Sequence, residues 1–330
     1  MRNGDRYDGR VDQSPLLVDA LAGARAGVVA VDRTNLTVLT LTGGDVLRYL
    51  HTVSTQHTAE RLPGDAAEAL LLSPKGKIEF AFRLAVLDGG VLIDTEAEAG
   101  GALAERLARF VFRYDVAVGR PGPGAVSLLG PEVDAALARA GLPVPPAVGG
   151  PGQAAVAGPA LVVHRTPLGA DVVGGAAPAA LRALTGAGVA AAPLDAWEAL
   201  RVEHGLPRWG RELTDDVIAE EAGLLGSHVH LDKGCYPGQE TVARVHNLGQ
   251  VQRRLAGLVL EGGQLPAPGT GLVTEDGRRA GQVRSAVLHP DLGPVALAYV
   301  RRVVPAGSHL LAGPLAARVV DLPFTPAHRA

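Results

Sequence analysis

From Gly249 onward the sequence is written in short alternating segments, and this constrains the fold more than any other feature. VQRRLAGLVLEG (251–262), TGLVTEDGRRAGQVRSAVLHP (270–290), VALAYVRR (295–302) and LAARVVDLPF (315–324) are strand-length runs split by Gly, Pro and Asp-Gly. Alternation at period two puts apolar side chains on one face, and turn residues this closely spaced leave no room for long helices. The pattern predicts a small all-β domain, a barrel, over residues 246–326.

Upstream the periods mix. GVVAVDR (27–33) and LTVLTL (36–41) read as strands, and VLRYLHTV (46–53) has helical spacing after a turn at Thr42–Asp45. AEALLLS, IEFAFRLAV and GVLIDTE are three strands joined by the turns PKGK and DGG, a β-meander. EAGGALAERLARFVF (98–112) returns to helical spacing, and YDVAV (114–118) to a strand. A second series follows: strand and helix in VSLLGPEVDAALARAGL, strands in ALVVHRT and GADVVGG, and a helix in APAALRALTGAGV. No regular βαβα rhythm runs through this region, so the fold class is α+β rather than a doubly wound sheet. The expected organisation is a flexible N-terminus (1–15), a 16–245 region of two α+β units (about 27–120 and 121–245), and the barrel. Residues 143–160, rich in Pro, Gly and Ala, read as a linker or long loop.

A chain of 330 residues is long enough for two or three cores. Its net charge of −3 argues against gross attraction to polyanions. Residues 246–330 nonetheless hold nine Arg against five acids, with basic pairs at Arg253-Arg254, Arg278-Arg279 and Arg301-Arg302. Weak tRNA binding there is one expected partner interaction, against the plainer reading of solvated barrel edges. One Cys excludes an internal disulfide and any four-cysteine cluster within the chain. The polar N-terminus has no apolar signal region, and no run is long enough to span a membrane, so a cytoplasmic location is expected.

Only three residues are Lys, against 28 Arg, and all three lie in two glycine turns: Lys75 and Lys77 in SPKGKIE, and Lys233 in LDKGCY. Elsewhere this chain writes Arg for a cation, so these positions call for a compact ammonium. Cys235 stands two residues from Lys233, which would lower its thiol pKa if close in space. Gly234, Pro237 and Gly238 shape a tight turn around it, and QETVARV resumes as helix or strand with Glu240 and Arg244. His228-Val-His230-Leu-Asp232 would line one face of a strand as metal ligands, a weak signal because His-x-His is common. In PLDAWEALRVEHGLPRWG (193–210), Asp195 is the candidate N-cap, and Gly205 and Pro207 stop the helix. Glu203 falls in the last turn, where the helix dipole disfavours a carboxylate. A surface Glu is the plain reading. The sharper one is a carboxylate in a pocket that accepts the paired N–H donors of a pterin or purine.

KGCYPGQE (233–240), followed by Arg244 and Gly249-x-Val-x-Arg-Arg-Leu255, resembles the signature of the YgfZ-type folate-binding proteins, relatives of the glycine-cleavage aminomethyltransferase. RVEHGLP (201–207) resembles the family's Arg-x-Glu-x-Gly-x-Pro segment, and SPKGKIEFAFRL its Lys-Gly-Lys meander. The resemblance runs from about Val28 to Val320 and implies two α+β units and a barrel around a central folate channel. It implies Glu203 at the pterin, with Lys75, Lys77, Tyr236, Gln239, Glu240 and Arg244 as further cofactor contacts, and Cys235 with Lys233 as the reactive pair. The implied cofactor is tetrahydrofolate or a one-carbon derivative. The implied partners are iron–sulfur enzymes, tRNA-modifying ones included, or cluster-assembly proteins. One departure stands out: the aminomethyltransferase branch carries an Asp pair after the meander turn, where this chain has Phe80 and Ala81. Glu79 is one residue away, on the opposite face of a strand.

Overall fold

A computed structural model describes residues 14–146, 154–156, 160–249 and 251–328. The first part of the chain contains α1 (Pro15–Ala26), β1 (Val29–Asp32), β2 (Leu36–Thr42), α2 (Val46–Val53), β3 (Ala66–Leu72), β4 (Ile78–Leu87), β5 (Gly90–Glu96), α3 (Ala97–Ala108), β6 (Ala117–Val118) and β7 (Gly122–Pro123). The meander pairs as its alternation predicts, in a sheet ordered β3-β4-β5-β2-β6 with β7 also on β2. Phe82, Leu84 and Val86 bury one face against Tyr49 and Leu50 of α2 and Leu103 and Leu107 of α3. Ala85, Leu87 and Leu92 turn the other face towards a second sheet.

That sheet draws on β8 (Ala125–Leu129), α4 (Val133–Arg139), β9 (Ala154–Val156), β10 (Val162–Thr166), β11 (Gly169–Val173), α5 (Ala177–Gly186) and β12 (Ala190–Ala192). Its strand order is β12-β1-β8-β11-β10-β9. The expected division near residue 120 therefore does not separate the sheets. β1 comes from the first part of the chain yet lies inside the second sheet, parallel to β12 (Ala30↔Ala191) and antiparallel to β8 (Ala30↔Leu128). Both of its faces are claimed there: Ala30 joins the cluster around Val126 and Leu128, while Val29 and Val31 pack on α1 and its neighbours.

Other expectations are corrected locally. The segment 1–15, expected to be flexible, overlaps α1 at its last residue, because Pro15 opens that helix. Leu21 and Ala24 of α1 bury against Val29, Val31 and Leu129, and residues 1–13 lie outside the described residues. YDVAV pairs only at Ala117–Val118. Within the presumed linker, 154–156 form β9 at the sheet edge, and 147–153 and 157–159 lie outside the described residues.

α6 (Leu194–Glu203), α7 (Leu225–His228) and α8 (Gln239–Leu248) lead to the barrel. Asp195 is in the first turn of α6 but is not its cap: Pro193 takes that position in extended conformation, two residues earlier, and no side chain makes a capping bond. A fixed φ at Pro193 starts the helix before Asp195 can serve. The segment with Glu240 and Arg244 is helix, so the barrel strands begin after residue 246. They are β13 (Arg253–Leu260), β14 (Gly271–Thr274), β15 (Arg279–His289), β16 (Gly293–Arg301), β17 (His309–Ala312) and β18 (Leu315–Val320). They close in the order β13-β16-β15-β14-β17-β18, with β18 returning to β13 at Val320↔Gly257. Val202 of α6 packs with Val295, Leu297 and Phe324, which docks the barrel onto the helix that carries Glu203.

The layer between the two sheets holds partnered charges. Arg83 contacts Asp94 and Asp171, each at 2.6 Å. Asp171 also accepts from Ser127, which accepts from Arg33 at 3.0 Å. The Arg33 guanidinium lies 3.5 Å over the Trp197 ring. Beside it Arg208 pairs with Glu96 at 3.0 Å and Glu198 at 2.7 Å. Arg201 pairs with Glu198 at 2.6 Å and Glu212 at 3.2 Å.

Candidate functional site

The two lysine-bearing turns are pressed together. Gly76 has φ +73° and Gly238 φ +82°, conformations that glycine adopts without strain. A Cβ on Gly238 would stand 2.6 Å from the Ser73 carbonyl oxygen and 2.9 Å from the Gly76 Cα. A Cβ on Gly76 would stand 2.6 Å from the Thr241 Cβ. The meander turn thus lies directly on the start of α8, and the chain from 233 to 241 is read against it.

Lys233 is buried, and its role is that of a helix cap. Its Nζ donates to the Ser54 carbonyl at 2.6 Å and to the His51 carbonyl. These carbonyls stand at the C-terminal end of α2, where helix carbonyls lack partners and the dipole favours a cation. Nζ also sits 4.9 Å from the centre of the Tyr236 ring. Burial pushes the Lys233 ammonium down to about 8. Burial, then Lys233, His57 and His230, hold the His51 imidazole below its usual value. The His51 and His57 rings are 4.7 Å apart, and those of His57 and His230 5.3 Å. Cys235 is a free, exposed thiol on this turn.

A guanidinium does not fit a seat built from two converging carbonyls. Lys233→Arg is expected to lower the unfolding free energy by about 1–3 kcal/mol, the cost of buried acceptors left poorly paired, measured by urea titration. Lys233 also sets a pH dependence. The unfolded chain keeps this proton to about pH 10.4, whereas the fold releases it near 8. Between the two the unfolded state binds more protons, so stability rises with pH. That rise is absent in Lys233→Met.

The remaining candidates scatter. Tyr236 is buried, and burial pushes its phenol up. Gln239 Nε2 reaches the Lys233 carbonyl at 3.4 Å. Lys77 Nζ donates to the Asp216 carbonyl at 2.9 Å and so ties the meander turn to the 214–218 loop. Lys75, Glu240 and Arg244 are exposed. The expected face of His228, His230 and Asp232 does not form. His228 ends α7 and turns to Ser227 and Glu68, while His230 is exposed. Its backbone N–H bonds to the Thr55 carbonyl, and among the described residues no strand runs there to align the side chains. Among the described residues no group of three His, Cys, Asp or Glu is placed to hold a metal ion.

Glu203 belongs to a different place. It ends α6 beside a cleft of about 500 Å³ lined by Arg25, Gly130, Arg165, Leu168, Glu203 and His204, among others. Its Oε2 accepts from His289 Nε2 at 3.0 Å and Arg25 Nη2 at 3.4 Å. Burial pushes the Glu203 carboxyl up. The hydrogen bond from His289, then Arg25 and His204, outweigh burial and hold it below the usual carboxylate range. Arg25 also pairs with Asp291 of the barrel. The residues described around Cys235 and those around Glu203 have no member in common. Sequence reasoning missed Arg25 and His289. Arg25 sits in the last turn of a helix that went unrecognised, and nothing local to His289 marks it as a partner of residue 203.

At the meander, Phe80 stacks on Trp209 with ring centres 5.9 Å apart and planes 8° from parallel. Trp209 Nε1 donates to the Glu79 carbonyl, and the Glu79 carboxylate pairs with Arg106 at 2.9 Å. The Glu79 carboxylate is therefore occupied by α3.

No family model matches the chain. Over 305 residues it is 30% identical to an aminomethyltransferase of Streptomyces coelicolor, covering 84% of this chain and 78% of that protein. The chain belongs to the aminomethyltransferase family. A chloroplastic Arabidopsis thaliana protein, named provisionally as a transferase, is 24% identical over 84% of this chain and 66% of its own length. The chain spans only 31% to 40% of several bacterial aminomethyltransferases that it also matches. The fold is that of the family: aminomethyltransferase T of the Bartonella henselae glycine cleavage system superposes with a TM-score of 0.82. The match covers 96% of this chain and 91% of that one, at 23% identity. Among the described residues no helix is long and apolar enough to cross a membrane.

Proposed function

We propose that this member of the aminomethyltransferase family binds tetrahydrofolate or a one-carbon derivative through Glu203. In this reading it supports the assembly or repair of iron–sulfur enzymes, tRNA-modifying ones included, with Cys235 as the exposed reactive thiol. The observation that carries the folate part is the Glu203 carboxylate, held ionised on the wall of the 500 Å³ cleft. A cleft of that size suits a small-molecule ligand. An ionised carboxylate suits the ring N–H and adjacent amine of a pterin. Arg25 and Arg165, shared with Asp291 and Asp134, are the cations in the same cleft for an acidic tail.

The accessory reading over aminomethyl transfer draws on positions 79–81. Phe80 and Ala81 stand where the transferring branch has carboxylates, and Glu79 is paired with Arg106. A transition state that develops positive charge would have no carboxylate there to stabilise it. Family membership itself keeps aminomethyl-type transfer as the second reading, and turnover with an aminomethyl or methylene donor would favour it. A single Cys supplies at most one protein ligand to a cluster, so any iron at Cys235 is shared with another molecule.

Titration calorimetry tests the folate assignment. Wild type binds tetrahydrofolate, and Glu203→Ala binds about tenfold to a hundredfold more weakly, the worth of charge-assisted hydrogen bonds. Equal binding by the two removes the assignment. For the thiol, Cys235→Ala is expected to retain folate binding and to lose complementation of an iron–sulfur enzyme defect.

A further inference from the structure

His289 ends β15 at 0% exposure, beneath Glu203. Its Nδ1 lies 3.1 Å from the Asp291 amide nitrogen and 3.3 Å from that of Leu292. Both amides are donors, so Nδ1 accepts and carries no proton. The single proton of the neutral ring is then on Nε2, which donates to Glu203 Oε2 at 3.0 Å. The turn between β15 and β16 thus selects the tautomer, whatever occupies the cleft. A backbone-locked donor leaves Oε2 satisfied, and Oε1 has no hydrogen-bond partner among the described residues.

We infer that His289 is a positioning residue for Glu203: from the barrel it holds the α6 carboxylate as an oriented anion, with Oε1 as acceptor for the donor edge of the pterin. The inference rests on the folate reading for its ligand but not for its geometry. The charged and titratable groups facing Glu203 are Arg25 from α1, His204 following α6 and His289 from β15, with Asp291 beyond Arg25. Arg25 is half-exposed and shared with Asp291, so the buried imidazole is the more constrained partner. The device selects for ligands that present donors. A ring offering only acceptors to Oε1 meets a fixed negative charge.

Two readouts test this. The first uses no ligand. The ¹³C-carboxyl titration midpoint of Glu203 is expected to rise in His289→Leu and to stay near the wild-type value in His289→Gln, whose side-chain amide still donates at the Nε2 position. The second is tetrahydrofolate calorimetry from pH 5 to 8. His289→Leu is expected to bind about tenfold more weakly, with its acid limb shifted to higher pH. His289→Gln is expected to stay within about threefold of wild type. An unmoved Glu203 midpoint in His289→Leu overturns the inference, and so does equal loss in both variants, which marks a packing role. Absence of folate binding by wild type, with the midpoint shift present, sinks the folate reading and leaves the positioning role standing.

Discussion

Arg83→Met is expected to lower the unfolding free energy by about 3–5 kcal/mol, the cost of stripping buried carboxylates of their cation. Arg83 touches both Asp94 on the first sheet and Asp171 on the second. Without it, Asp94 keeps His164 at 3.3 Å and Asp171 keeps the Ser127 hydroxyl, too little to offset two desolvated charges. Burial pushes the Asp94 carboxyl up, but Arg83 and His164 outweigh it and bring it down to about 2. Its unfolded value is about 3.9. The contribution of Asp94 is therefore complete above about pH 4 and is lost as pH falls towards 2. Urea titrations at pH 7, 4 and 3 should show the wild type losing stability over that interval and Arg83→Met losing less. Adding Asp94→Asn and Asp171→Asn to Arg83→Met should recover part of the loss, because the uncompensated charges go with the carboxylates. A single variant within about 0.5 kcal/mol of wild type, the range of ordinary surface substitutions, would show that the layer between the sheets is wet.

The second large effect is expected at Gly238. Gly238→Val combines a left-handed backbone that a β-branched residue resists with a Cβ 2.6 Å from the Ser73 carbonyl. Neither obstacle can move cheaply, since the neighbour is the backbone of the meander turn. The expected cost is about 2–4 kcal/mol, read by thermal unfolding. It should be localised: protease cleavage between 230 and 240 should accelerate more than cleavage elsewhere, because the turn that carries Cys235 lifts from Gly76. Gly76→Val strikes the same interface from the other side. The double variant should then cost clearly less than the two single costs combined, since an interface already parted cannot be parted again. Additive costs would mean that the two turns are held independently.

The strongly periodic elements were legible in the sequence. β3, β4 and β5 follow from period-two alternation and glycine turns, and the barrel strands likewise. α1 was hidden because its apolar residues are diluted by Ala and Gly, and its helical face is defined only by the strand it covers. β12 is three alanines, which carry no alternation; it is a strand because β1 lies beside it. The same distinction runs through the candidate site. The oddity of Lys233 in an Arg-writing chain was readable. Its purpose, closing the end of α2, needed the return of residues 51–54 to its side. Glu203 was singled out correctly as a helix-end carboxylate, but the cation and imidazole that hold it come from residues 25 and 289. Arg201 of the same motif, 1% exposed, bonds to Glu198, Leu206, Glu212 and Ser285.

The placement of β1 bears on how the chain is made. A ribosome releases residues 29–32 early, yet their strand partners are 125–129 and 190–192. At synthesis rates of about 5–20 residues per second, β1 waits on the order of ten seconds for its first partner, with Val29, Ala30 and Val31 exposed to other chains. The meander can pair meanwhile, since its strands follow one another directly. The first sheet is thus available first as a platform, while the second closes only when residues 125–129 and 190–192 arrive beside β1. Slowing elongation between codons 33 and 125 should increase aggregation of the nascent chain.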